Sequence, residues 1–246
     1  MNLIYTHTIT VSDTQCDRFD RLKPSALLSV LQDAAGGSSN SLGLSGEVLA
    51  SHGVFWAVIR NRVEITRLPL HGETVTIETW PEPKTRVAFP RASVGYDAEG
   101  NVLFRARSLW VLMDLSTRAM VLPPKAGFDV PGMTRDMDLP NPPSLPAIES
   151  QDAALRSVGY TDLDRNGHMS NIRYLDWIMD LLPSSFHGSH TLSGFTVCYL
   201  NEAREGQQIR LIHSLTGDCT LQVEAKRAGE DPHRVFAVRA DFVKIM

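Results

Sequence analysis

The chain has 246 residues, 43% of them hydrophobic, enough to bury one large core or two smaller ones. Its 24 basic and 28 acidic residues leave a formal charge of -4, which argues against nucleic acid as the main partner. Cys16, Cys198 and Cys219 form no metal-binding spacing, no basic and apolar leader opens the chain, and no stretch approaches the roughly 18 apolar residues of a membrane helix, so a cytoplasmic protein without metal, cofactor or membrane insertion is expected.

The chain opens on an alternating strand, Tyr5–Val11, followed by a helix from Leu22 to Ala35 with Pro24 in its first turn and Leu27, Leu28, Leu31 and Ala35 on one face. Gly36-Gly37 reads as the end or the loosening of that helix, and Gly43 to Gly46 as loop. Four β-branched and aromatic runs come next: Val54–Ile65, Glu73–Trp80, Arg86–Tyr96 and Val102–Met113. A helix with one apolar stripe followed by a run of strands predicts an α+β fold.

From Pro131 to Ser150 the periodicity lapses, and Pro140-Asn-Pro-Pro-Ser-Leu-Pro146 suits neither a helix nor a strand ladder, so this segment reads as a linker. The same order then recurs: a strand over Leu155–Tyr160, a polar loop, a helix over Ser170–Leu182, and strands near Thr191–Tyr199, Gln208–Leu215, Cys219–Ala228 and Val235–Phe242. Val63-Glu-Ile65, Gly72, Val75 and Ile77 superpose on Val197-Cys-Tyr199, Gly206, Ile209 and Leu211 at a constant offset of 134 positions. Shared spacing with little identity is what a duplicated unit leaves behind. The division expected is residues 1–130, a linker over 131–150, and residues 151–246.

The polar loop is Asp164-Arg-Asn166-Gly-His168, set directly before the second helix. If it is extended, Asp164, Asn166 and His168 leave on one side. An imidazole titrates near neutral pH, and a neighbouring carboxylate or amide fixes its tautomer. The competing reading is structural: Asp164 and Asn166 as helix caps or an Asx-turn, with His168 a satisfied side chain. Glu202, near a strand end, is the second candidate; in an apolar cleft its pKa would rise, and while ionised it could take a proton from water. The alternative for Glu202 is an ordinary solvated glutamate, like its neighbour Glu205.

Asp164-Arg-Asn-Gly-His168-Met-Ser-Asn171-Ile-Arg-Tyr174-Leu-Asp-Trp177 and Tyr199-Leu-Asn-Glu202, with Trp56–Ile65 and Gly72–Trp80, resemble the acyl-ACP thioesterase family of plant plastids and bacteria. The resemblance runs from about residue 3 to 243 and implies a tandem hotdog fold, in which each repeat wraps a long helix in an antiparallel sheet. It implies hydrolysis of fatty acyl-ACP thioesters, and it carries the family's catalytic aspartate, asparagine, histidine and glutamate onto Asp164, Asn166, His168 and Glu202. Where the plant enzymes have a cysteine after the glutamate, this chain has Ala203, which excludes a thiol nucleophile there. Attack by water is therefore expected, with Glu202 favoured over His168 as general base, Asp164 and Asn166 organising His168, and N–H groups at the start of the Ser170 helix stabilising the oxyanion.

The resemblance assigns the acyl tunnel to the first half, with Leu27, Val30, Leu31, Trp56, Val58 and Phe89 as candidates for its wall. It also implies acidic acyl carrier protein as partner, for which Arg60, Arg62, Lys84, Arg86 and Arg91 are the candidate contacts. Two repeats already supply the pairing that single-hotdog proteins reach by dimerising, so monomer and homodimer both remain open. The rival readings are a hotdog acyl-CoA thioesterase and a non-catalytic lipid-binding hotdog protein.

Overall fold

Pro24 opens the helix of the first unit, because its fixed φ suits a first helical position where its missing N–H is no loss. This helix, α1 (Pro24–Ser41), buries Leu27, Leu28, Val30, Ala34 and Ala35 and packs against two strands, β1 (Tyr5–Thr10) and β3 (Thr74–Pro81). It runs on to Ser41 instead of stopping at Gly36-Gly37. Gly37 serves close packing: a Cβ there would fall 2.5 Å from the Tyr5 hydroxyl on β1. Burial against the sheet thus outweighs the roughly 1 kcal/mol that each helical glycine costs. The computed structural model describes residues 2–217, 219–229 and 232–245, and the chain divides into two compact units, Met1–Pro142 and Pro143–Met246.

In the first unit the remaining strands are β2 (Val54–Ile65), β4 (Phe89–Tyr96), β5 (Val102–Asp114) and the short β6 (Met120–Val121). They form an antiparallel sheet in the order β1-β3-β4-β5-β2, with β6 against β5. Gly43 to Gly46 is not all loop: α2 (Gly46–Ser51) begins at Gly46, capped by Ser45, whose Oγ accepts from Val48 N at 3.3 Å.

The second unit repeats this plan. Its strands are β7 (Ala153–Ser157), β8 (His190–Tyr199), β9 (Gln208–Thr216), β10 (Thr220–Arg227) and β11 (Arg234–Lys244). Their antiparallel order is β7-β9-β10-β11-β8, the first unit's order strand for strand. The offset of 134 reappears in three dimensions: β2 and β8 end at Ile65 and Tyr199, and the turns that follow place Gly72 and Gly206 at φ of 80° and 77°. The helices differ. The run expected over Ser170–Leu182 is only α3 (Arg173–Met179), followed by α4 (Ser184–Ser189), so the long helix belongs to the first unit alone. Pro183, at the N-cap of α4, accounts for the break.

The proline-rich segment is tied down along its length. Met133 N donates to Pro81 O, Arg107 donates to Leu139 O, and Arg135 pairs with Glu78, all within the first unit. Past Pro142 the attachment is to the second unit: Pro143 O accepts from Cys198 Sγ, Leu145 O and Pro146 O from Arg234, and Ile148 N donates to Glu224. It forms a strap in two halves, and the boundary between the units falls inside it.

Candidate active site

The polar loop follows β7 and a 3-10 turn over Tyr160–Asp162. It closes on itself: Leu163 and Met169 form an isolated antiparallel bridge, Asp164 N donates to His168 O at 2.8 Å, and Gly167 takes a φ of 75°, which suits glycine. The Asp164 carboxylate fills the turn. Its Oδ1 accepts from Asn166 N (2.8 Å) and His168 N (3.3 Å), and its Oδ2 accepts from Asn166 Nδ2 (3.3 Å). The loop is therefore not extended, and Asp164, Asn166 and His168 do not leave side by side from one face. Asp164 makes the Asx-type turn of the structural alternative, Asn166 is exposed, and His168 is free to look elsewhere.

His168 looks toward Glu202. Its Nε2 lies 3.0 Å from Glu202 Oε2, with the imidazole side chain 16% exposed and the carboxylate 49% exposed. The apolar cleft expected around Glu202 is absent, since half of that side chain meets solvent. The two segments are pinned by the backbone on either side of the pair, Met169 N donating to Ala203 O at 2.8 Å. Ala203 carries no nucleophilic atom, and Cys198 is buried in the core, which argues against it as a nucleophile. Of the oxyanion donors expected at the start of this helix, Ser170 N is engaged, bonding to Asp162 O at 2.8 Å, and α3 starts three residues later.

Tyr174, on α3, is a neighbour that sequence reading left without a role. Its ring packs 4.2 Å from Phe236 and 6.0 Å from Tyr199. Burial pushes its phenol well above the ordinary value, and the negative charges of Glu202 and Asp164 add to the shift. At neutral pH it stays uncharged beside the pair. The signal in the sequence was its helical spacing to Trp177, also buried.

The first unit holds a cavity of about 200 Å³. Trp56 and Phe89, in edge-to-face contact at 4.9 Å, form part of its wall together with Trp110, Leu42 and Val130. Leu31 lines a smaller adjacent space of about 10 Å³, whereas Leu27, Val30 and Val58 are buried in the core and line neither. Of the basic candidates, Lys84 and Arg86 are exposed between β3 and β4, Lys84 pairing with Asp129, and Arg62 pairs with Glu64. Arg60 is half-buried, and Arg91 lines the cavity instead of standing on an open face.

The first unit also contains a structural twin of the polar loop. Cys16 and Leu22, which stand 147 positions before Leu163 and Met169, form the corresponding bridge. Asp17 N donates to Arg21 O at 2.8 Å, and Asp17 Oδ1 accepts from Phe19 N (2.8 Å) and Arg21 N (3.0 Å), as Asp164 does from Asn166 and His168. Asp20 takes the positive φ of Gly167, at 59°. Leu22 N reaches Pro69 O as Met169 N reaches Ala203 O. The chemistry is missing: Phe19 stands for Asn166, Arg21 turns back to pair with Asp17 at 3.0 Å, and buried Leu68 occupies the place of Glu202.

Two family models match this chain: the acyl-ACP thioesterase N-terminal domain over residues 2–124 and the C-terminal domain over residues 147–238. The chain belongs to the acyl-ACP thioesterase family. Among its relatives in that family, a chloroplastic dodecanoyl-[acyl-carrier-protein] hydrolase of Cinnamomum camphora is 28% identical over 78% of this chain and 54% of its own length. The oleoyl-acyl carrier protein thioesterase 1 of Arabidopsis thaliana is 29% identical over 77% of this chain and 57% of its own length. The chain thus spans about half the length of the curated acyl-ACP thioesterases it matches. A solved acyl-ACP thioesterase from Bacteroides thetaiotaomicron, 24% identical, covers 98% of each chain with a TM-score of 0.85, in keeping with the tandem hotdog fold. Among the described residues no helix is long and apolar enough to cross a membrane.

Proposed function

We propose that this chain hydrolyses the thioester between a fatty acyl group and acyl carrier protein, releasing the free acid. The observation that carries the reading is the 3.0 Å pairing of His168 with Glu202 on the loop that matches the family. In this scheme Glu202 takes a proton from water as the water oxygen attacks the thioester carbonyl. The amide proton of Asn166 that Asp164 does not use is assigned to the developing oxyanion, and His168 gives its Nε2 proton to the departing thiolate as the C–S bond breaks, the proton held by Glu202 replacing it across their contact. No covalent enzyme intermediate is required. Asp164 acts through the loop, holding the His168 backbone while the imidazole engages Glu202.

The acyl chain is assigned to the cavity of the first unit, whose aromatic and aliphatic wall suits it. The relatives' names span dodecanoyl and oleoyl groups, so similarity does not set a chain length. Arg86 and Lys84 are the exposed candidates for an acidic carrier protein. Among the described residues the three cysteines form no disulfide, which accords with a cytoplasmic location. The test is thiol release from acyl-ACPs of graded chain length beside the matching acyl-CoAs. Hydrolysis at least tenfold faster on the carrier protein, abolished in Glu202→Ala, supports the reading, and Glu202-independent hydrolysis or none at all overturns it.

A further inference from the structure

A cation inside an apolar cavity calls for a partner, because desolvating a guanidinium without a counter-charge is expensive. Arg91 lines the cavity of the first unit beside Trp56, Phe89 and Trp110. Among the described residues no carboxylate pairs with it. Its Nη1 donates to Thr79 Oγ1 at 3.2 Å, which leaves most of its N–H donors unused. Burial lowers its pKa to about 10, so the group stays charged at neutral pH while losing hydration. Gln32, from α1, lines the same cavity, and its Nε2 is buried with no hydrogen-bond partner. Both side chains also border the adjacent 10 Å³ space, whose other lining includes Ser93 and Ser108. One end of an otherwise greasy chamber is therefore polar, positively charged and short of acceptors.

We infer that this chamber binds a carboxylate carried on an aliphatic chain, with the carboxylate held by Arg91 and Gln32 and the chain lying against Trp56, Phe89 and Trp110. A guanidinium beside a free amide donor matches a carboxylate's paired oxygens. The walls exclude a small hydrophilic anion such as phosphate as the preferred occupant. At ~30 Å³ for each water-sized group, 200 Å³ holds roughly seven heavy atoms, a carboxylate with about five carbons, so the tail of a longer acid extends beyond the chamber. Two sources supply this chemistry: the free fatty acid that hydrolysis would release, or the distal carboxylate of a dicarboxylic acyl thioester. The inference deepens the proposed function by naming a ligand group for the acyl cavity, but binding needs no turnover, so the two fail separately.

Trp56 and Trp110 line the chamber, so intrinsic tryptophan emission reads its occupancy. The wild-type chain is titrated with hexanoate, octanoate, octan-1-ol and methyl octanoate. The acids bind at least tenfold tighter than the neutral analogues, and in Arg91→Met that advantage shrinks to within twofold. Because Arg91→Met removes an uncompensated buried charge, its thermal midpoint stays level or rises, which separates loss of the site from loss of the fold. Equal binding of octanoate and its methyl ester by the wild type, or binding of neither, overturns the inference without reference to any variant. In Glu202→Ala, whose expected slow turnover leaves the thioesters intact over the measurement, octanoyl and 7-carboxyheptanoyl pantetheine thioesters then compete against bound octanoate. A tenfold advantage of the carboxylated thioester assigns the distal carboxylate as the natural ligand, and parity assigns the released acid.

Discussion

A carboxylate and an imidazole 3.0 Å apart, each on a segment pinned by a backbone hydrogen bond, form a pair that tolerates removal of either partner without collapse of the core. Glu202→Ala and His168→Ala should therefore lower hydrolysis by about 10²–10⁴-fold while the folded circular dichroism signal persists. A steady-state comparison with the wild type measures this. Tyr174 makes the opposite kind of contribution. Its phenol ionises above the ordinary value near 10, so its favourable burial is fully present below that pH. It is lost as pH rises past 10, where the unfolded chain ionises first. Stability against denaturant should fall over that alkaline window, and Tyr174→Phe should flatten the fall. The sequence singled out Asp164, Asn166, His168 and Glu202 as candidates, but not how the loop arranges them. An Asp-x-Asn-x-His string carries no sign that the aspartate's oxygens are spent on backbone N–H groups, because that depends on the loop closing over Gly167.

Elements were more legible where burial is one-sided and periodic, as in β1 and β3, and less so where tertiary packing overrides local preference. Gly36-Gly37 reads as a stop, yet α1 continues because the sheet holds it. The two glycines then serve different ends, since a Cβ at Gly36 meets nothing within 4 Å and Gly36 lines the cavity. Gly36→Ala should raise the unfolding free energy by up to about 1 kcal/mol through helix propensity, and the added methyl should shift hydrolysis toward shorter acyl chains. The strap was unreadable for a related reason, since prolines announce only that a segment is neither helix nor strand. What fixes it is distant in sequence. Glu224 is fully buried between Arg234 and Lys226 while accepting from Ile148 N, and Arg234 in turn holds Leu145 O and Pro146 O. Removing the carboxylate in Glu224→Ala leaves Ile148 N without its acceptor and two partly exposed cations without their counter-charge, and should cost about 2 kcal/mol, read from urea unfolding, with faster proteolysis near Pro146. At the other half of the strap, a Cβ on Gly132 would fall 2.5 Å from Glu82 O, so Gly132→Ala should loosen Met133 from β3.

The whole molecule is a duplication whose strands keep one register and whose loops keep another, 134 positions against 147. The longer helical segment of the first unit accounts for the slip, and it puts the loop twin out of register with the strands. Asp17 and Asp164 build the same turn, but Arg21 and Leu68 stand where His168 and Glu202 do. Installing the first unit's residues in the second, as His168→Arg with Glu202→Leu, should leave thermal unfolding within a few degrees of the wild type and abolish hydrolysis. Differential scanning calorimetry and thiol release together decide this. The twin also supplies an internal reference for experiments on the intact chain. Amide exchange or chemical-shift changes that appear at residues 17–22 and 164–169 alike report on the shared backbone frame. Those confined to 164–169 on adding substrate report on catalysis, with both readings taken from one sample.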